Sequence, residues 1–308
     1  MTKKKVQHYI WRNYLKPWVE GGHIWCNSNG KIEQKGLKKI GQELYFYKLK
    51  EMSQSDIEWI KNFIHLSNNP SLKKTNEGWI NMFKGVFDIK ASLKANGIID
   101  TEFEKELDVL EANLEESFHS KIESESIKYL NSILAGDTSF FKNNSDCIAF
   151  LHYLSLQYMR TNNMQKRQCN QFMQVGNENI VSMWPVLRHV FSLNIASSIY
   201  GERDKHRLVL LKNNSGIQFI TGDQPVINTY SVDGNGTDGL EFYYPVSPNL
   251  AVLLTEKDEY KAVADSIDVD DSQAKWFNQA IADLSDEQTY AFSKESLIEF
   301  KKKARAAS

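Results

Sequence analysis

Apolar residues recur along the chain with two periods, and the change from one to the other divides it into three stretches. From 1 to about 50 the pattern is short and broken: Val6, Tyr9 or Ile10, Tyr14 and Pro17 fit a short helix or an extended arm stopped by Pro17. His23–Cys26 and Lys31–Gln34 flank Asn29-Gly30, a strong hairpin signal, because a type I′ turn needs positive φ at both central residues. Leu37–Tyr47 completes a small antiparallel β element.

From 53 to 201 the spacing turns helical. Ser53 or Ser55 can cap a helix carrying Ile57, Ile60, Phe63 and Ile64. Trp79, Met82, Phe83 and Val86 form a second face, and Asp100 or Thr101 starts a third helix with the stripe Phe103, Leu107, Leu110 and Leu114. Ile148 to Tyr158 continues the pattern. Ile180 to Ile199 reads as a long helix, with Pro185 either in its first turns or kinking it.

From 207 to 308 β character returns. Arg207–Lys212 and Ile217–Thr221 bracket Asn213-Asn214-Ser215-Gly216 and read as a hairpin ending at Gly222-Asp223-Gln224-Pro225. Leu240–Pro245 and Asn249–Thr255 read as two more strands, Ser272–Leu284 as a helix and Thr289–Ser293 as a last strand. The class expected is α+β: a central helical bundle with antiparallel β elements from the first 50 and last 100 residues. No Pro/Gly-rich linker divides the chain, so one domain over 1–308 is expected.

Composition narrows the partners. The 308 residues are 41% hydrophobic and 25% charged, a globular balance, and a net charge of −2 argues against a wholesale grip on nucleic acid while leaving room for a local basic groove. Lys3-Lys4-Lys5 and Lys301-Lys302-Lys303 with Arg305 read as solvated basic ends. The isolated cysteines Cys26, Cys147 and Cys169 point to a reducing compartment and away from a thiolate zinc site. No apolar run approaches the ~20 residues that span a bilayer, so a cytoplasmic protein without membrane contact is expected.

Several segments together resemble a known family. QHYIWRNYLKPW at 7–18, GGHIWCNSNGKI, IGQELYFY, YMRT at 158–161, FITGDQPV at 219–226 and YYPVSPNLAVLLT at 243–255 resemble, in order, the blocks of the bacterial domain-of-unknown-function family 4238. Asn278 before the final strand also fits. Two positions depart: Gly222 stands where a Ser is expected before the Asp, removing a supporting hydroxyl, and Trp11 stands where Pro often follows the His-Tyr pair. The resemblance brings no activity with it.

The candidate chemistry is polar and scattered. His8 is a proton shuttle by residue type, or a packing residue that anchors the arm. Asp223, at a strand end, is a divalent-metal ligand (Mg²⁺ or Mn²⁺), an orienter of a base, or an Asx-turn residue bonded to the N–H of 226. Glu43 is a second acid or an exposed edge residue. Arg160 either satisfies helix C-terminal carbonyls or clamps an anion, with Lys166 and Arg12 as further anion-binding candidates. Gln7, Thr161, Thr221 and Asn278 are supporting candidates. Glu116-x-x-His119 has the spacing of a di-iron half-site but lacks a second copy, so it reads as a solvated helix face. Cys169 with His152 or His189 lacks the context of a nucleophile, and there is no Walker loop, dinucleotide fingerprint or nucleophile elbow.

Two functions from different classes follow. One is a metal-dependent phosphodiester hydrolase, a nuclease-like effector of phage defence or of a toxin system acting on nucleic acid. It uses His8, Asp223, Glu43 and Arg160 and requires His8 and Asp223 to meet in one cleft. The other is a non-catalytic protein that binds a small anionic ligand or a protein partner encoded nearby. A third, blander reading makes all these residues one fold-stabilising polar network.

Overall fold

The computed structural model describes residues 2–98, 100–174, 179–232, 239–260 and 264–302; Lys303 and Arg305 of the basic C-terminal run lie outside the described residues. Local signals explain most of the elements. Strands β2 (Ile24–Ser28) and β3 (Lys31–Lys35) form the expected hairpin, with Asn29 at φ +52° and Gly30 at φ +89°. The arm is extended: β1 (Val6–His8) pairs antiparallel with β4 (Gln42–Leu44). Just beyond this ladder the Gly41 carbonyl accepts the N–H groups of Tyr9 (2.9 Å) and Ile10 (3.2 Å).

The helices begin where their caps dictate. Ser53 and Asp56 close a capping box on α1 (Gln54–His65), Asn69 caps α2 (Pro70–Ala95) with Pro70 in its first turn, and Asp100 caps α3 (Thr101–Leu134). Then follow α4 (Asn144–Met159), α5 (Asn162–Gln174) and α6 (Ile180–Gly201), which holds Pro185 in its second turn. None of the helices among the described residues is long and apolar enough to cross a membrane.

After α6 the chain builds a five-stranded sheet in the order β10 (Ser266–Val269), β5 (Arg207–Asn213), β9 (Leu250–Thr255), β8 (Phe242–Ser247) and β7 (Ile227–Asn228). Both faces are covered. Leu208, Leu210, Tyr244 and Val252 pack with the arm and α4, while the alternate residues Val209, Leu211, Tyr243 and Leu253 pack with α7 (Asp271–Leu284). A third cluster fills the space between α1, α2 and α6. The first and last stretches also share a sheet: β3, β2, β11 (Gln288–Ala291) and β6 (Thr221–Gly222) lie side by side, and α8 (Lys294–Glu299) follows. The protein is α+β, with helices in the middle and strands at both ends.

One expected element is absent. Arg207–Lys212 makes no hairpin with Ile217–Thr221; β5 pairs with β9 and, in parallel, with β10. The Asn213 side chain folds the intervening loop on itself, accepting from Ser215 N–H (3.1 Å) and donating to the Ile217 carbonyl (2.7 Å). The chain then leaves the sheet, and a side chain serves its backbone. Asn278 of α7 accepts from Ile220 N–H (2.9 Å) and donates to the Gln218 carbonyl (2.8 Å). The last strand also stops at Ala291, because Ser293 caps α8.

Candidate functional site

Strand alternation in β1 sends Gln7 inward and leaves His8 half-buried. Gln7 donates to the Ala112 carbonyl on α3 (2.6 Å) and accepts from Tyr47 N–H (2.7 Å), which fixes the arm to the helices. His8 is fixed at both ends. Its carbonyl accepts from Arg160 Nη2 at 2.8 Å, and its ring hydrogen-bonds the backbone of Lys38. Nε2 is buried with no hydrogen-bond partner. Burial, reinforced by the charges of Arg12 and Arg160, lowers the His8 pKa to about 4.

His8 lines a cleft of about 860 Å³ between the arm, the loop before β4 and one face of α3. Its rim carries the exposed cations Arg12, Lys16, Lys38 and Lys39, and its α3 wall carries Glu116, Ser120 and Glu123. Those last residues share a face by their three- and four-residue spacing. Glu123 is buried and pairs with Arg160, so much of the acidic wall is neutralised inside the protein.

Arg160 caps α4, yet its guanidinium leaves the helix end. It donates to Tyr47 Oη (2.8 Å), to Glu123 and to the His8 carbonyl, and only 1% of the residue is exposed. Its fork is thus largely committed to the protein, although it borders the cleft. Thr161 donates to Gln224, and Thr221 hydrogen-bonds Tyr14 Oη (2.6 Å), which itself donates to the Pro245 carbonyl (2.7 Å).

Asp223 lies elsewhere. It follows β6, and its carboxylate accepts three successive backbone N–H groups: Asp286 on Oδ1 (2.7 Å), Glu287 (2.7 Å) and Gln288 (2.8 Å) on Oδ2. Those groups, not the N–H of 226, use its oxygens. Burial pushes the carboxyl up to about 6 against the pull of these donors. A carboxylate so enclosed, 2% exposed and outside the cleft lining, is a clasp between β6 and β11 rather than a metal ligand or a partner for His8. Glu43 is exposed on β4 opposite Gln7, and Lys166 pairs with Asp286 (2.6 Å); neither lines the cleft. Of the candidates, His8, Arg12 and Arg160 therefore come together, while Asp223, Glu43 and Lys166 stand apart.

The α3 helix holds what the sequence reading set aside. His119 is 1% exposed, so Glu116-x-x-His119 does not lie on a solvated face. Beside it Glu115 is fully buried, and His189 and Arg188 reach it from α6. Glu115 Oε1 stands 3.5 Å from His119 Nε2, 3.3 Å from His189 Nε2 and 3.1 Å from Arg188 Nε. The guanidinium holds the Glu115 carboxyl down to about 2 despite burial, while burial lowers both imidazoles. The Glu115/His119 pair, four residues apart, was visible as a helix-face spacing; its third member on α6 was not.

A helical α+β protein whose arm closes over a cationic cleft is the class that the fold and the site define. The chain belongs to the family described as Protein of unknown function (DUF4238), whose model matches residues 6–295. No curated protein and no solved structure matches it.

Proposed function

We propose that the protein binds a phosphate-bearing ligand, a nucleotide or a short nucleic-acid segment, in the cleft beside His8. One observation carries this reading: His8 lines a cleft rimmed by the exposed cations Arg12, Lys16, Lys38 and Lys39. Phosphate oxygens accept from such cations, and a cleft of this size suits a nucleotide-sized ligand. The local basic rim fits a chain whose net charge is only −2.

A second reading, phosphodiester hydrolysis, is favoured by the same His8, which lines the cleft. An imidazole held neutral can take a proton from an attacking hydroxyl or water, and the cations can stabilise charge on phosphorus oxygens. In this form of the hydrolase reading Asp223 has no part.

The test measures binding of fluorescently labelled RNA, single-stranded DNA, duplex DNA and ATP by polarisation, with cleavage followed on gels in EDTA, Mg²⁺ and Mn²⁺. Binding that weakens steeply with salt and falls about tenfold or more in Arg12→Ala/Lys39→Ala supports the cleft. Cleavage lost in His8→Gln with binding retained selects the hydrolase. No binding by any of the four ligands rejects both readings.

A further inference from the structure

We propose that Glu115, His119 and His189 form a buried site for a divalent transition-metal ion of the zinc class, bound through two imidazoles and one carboxylate. The three residues each offer one ligand atom, and these atoms lie within 4.8 Å of one another. For bonds of about 2.0–2.1 Å, tetrahedral ligand atoms stand roughly 3.3–3.4 Å apart. Glu115 Oε1 meets that spacing with both partners, at 3.5 Å to His119 and 3.3 Å to His189.

A second observation is independent of the spacing. Both oxygens of Glu115 and both ring nitrogens of His119 and of His189 are buried without a hydrogen-bond partner. Buried polar atoms are nearly always satisfied, so three neighbouring side chains with unpartnered atoms, one from each within 4.8 Å of the others, mark a place built to hold something. The side chains are also oriented from behind. Trp79 stacks on His189 at 4.1 Å and Tyr47 packs on His119 at 4.5 Å, and Glu115 and His119 are one turn apart on a single rigid helix. Two imidazoles with a carboxylate favour zinc or a neighbouring transition ion over Mg²⁺, whose preference is for oxygen alone. His119 also lines the cleft, which offers a route of entry.

Arg188 is the group that opposes a cation here. Its guanidinium, however, also lies 5.3 Å from the ring of Phe46, 5.4 Å from Tyr47 and 5.9 Å from Trp184, and its Nε makes no hydrogen bond to the carboxylate 3.1 Å away. Aromatic faces share its charge.

The experiment strips the full-length protein with a strong chelator, titrates it with Co²⁺ and follows the visible absorption, then displaces Co²⁺ with Zn²⁺. One equivalent of Co²⁺ with the intense bands of tetrahedral coordination, lost in folded Glu115→Gln and His189→Gln, is the expected result. Absence of stoichiometric binding by the wild-type chain, or binding unchanged in a folded His189→Gln, overturns the proposal. Should both variants fail to fold, X-ray absorption of the Zn²⁺-loaded wild type decides. Scattering from two imidazoles sustains the site, and a shell of oxygens alone overturns it. None of these readouts depends on the cleft having a ligand.

Discussion

Arg160 Nη2 donates to the main-chain carbonyl of His8 at 2.8 Å, across 152 residues of sequence. The arginine that looks like an anion clamp instead grips the strand that carries the histidine. Arg160→Met removes three hydrogen bonds and leaves Glu123 buried without its cation. Breaking a buried pair from one side costs about 3–5 kcal/mol. Urea unfolding is expected to show that loss, with Arg160→Lys recovering only part of it, since an ammonium lacks the planar fork.

Asp223 predicts a purely structural phenotype. Asp223→Ala leaves three N–H groups of residues 286–288 without their acceptor, and Asp223→Asn turns one donor-bearing end toward them. A loss of about 3 kcal/mol or more is expected for either. Ligand affinity in the His8 cleft should be unchanged in any variant that remains folded. A folded Asp223→Ala with abolished binding would contradict that placement.

Gly222 precedes Asp223 at the end of β6, and the packing there explains why this chain has glycine. A Cβ at Gly222 would run into the Ser285 hydroxyl and approach the Gln288 carbonyl at 3.1 Å. The Ser285 hydroxyl fills the space and donates to the Ile281 carbonyl at 2.7 Å. Gly222→Ser alone is expected to destabilise by about 1–3 kcal/mol through overpacking. Adding Ser285→Gly should restore much of that, so thermal unfolding of the two single variants and the double variant would reveal strong coupling.

The pH dependence of His8 has a definite sign. Its pKa is lowered from 6.5 to about 4 in the folded protein, so below pH 6.5 the unfolded chain takes up the proton first. The His8 contribution to stability is therefore constant above about 6.5 and falls as pH drops toward 4. Against His8→Gln, the wild type should lose relative stability across that window in denaturant titrations. A phosphate-bearing ligand in the cleft beside His8 favours the imidazolium and raises the pKa. Calorimetry at pH 5.5 in buffers of different ionisation enthalpy should show proton uptake on binding, and none in His8→Gln.

What could be read from the sequence was local in origin. Ser53, Asp100 and Asn29-Gly30 each act within a few residues, and the structure places caps and a turn where those residues stand. The false hairpin after Arg207 had good strand residues and a good loop. Its fate was decided by Asn278, some 60 residues away, whose amide replaces a partner strand. Asp223 misled for a related reason: its partners are main-chain N–H groups, which have no signature in side-chain identity. His119 was set aside because Glu116-x-x-His119 has no second copy in the sequence, whereas in the structure Glu115 and Glu123 on the same helix are buried against Arg188 and Arg160. Long-range charge pairing leaves no periodic trace.

The sheet that joins β2 to β11 has a consequence for biosynthesis. Ser28 pairs with Gln288, so the first hairpin cannot find its neighbour until about 260 further residues have been made, on the order of tens of seconds at ordinary translation rates. During that interval the edge of β2 is open while the helices emerge and pack. Emergence of β11 from the ribosome is then the event that lets β2 find its neighbour, and a nascent chain halted before residue 288 should still present that edge to chaperones.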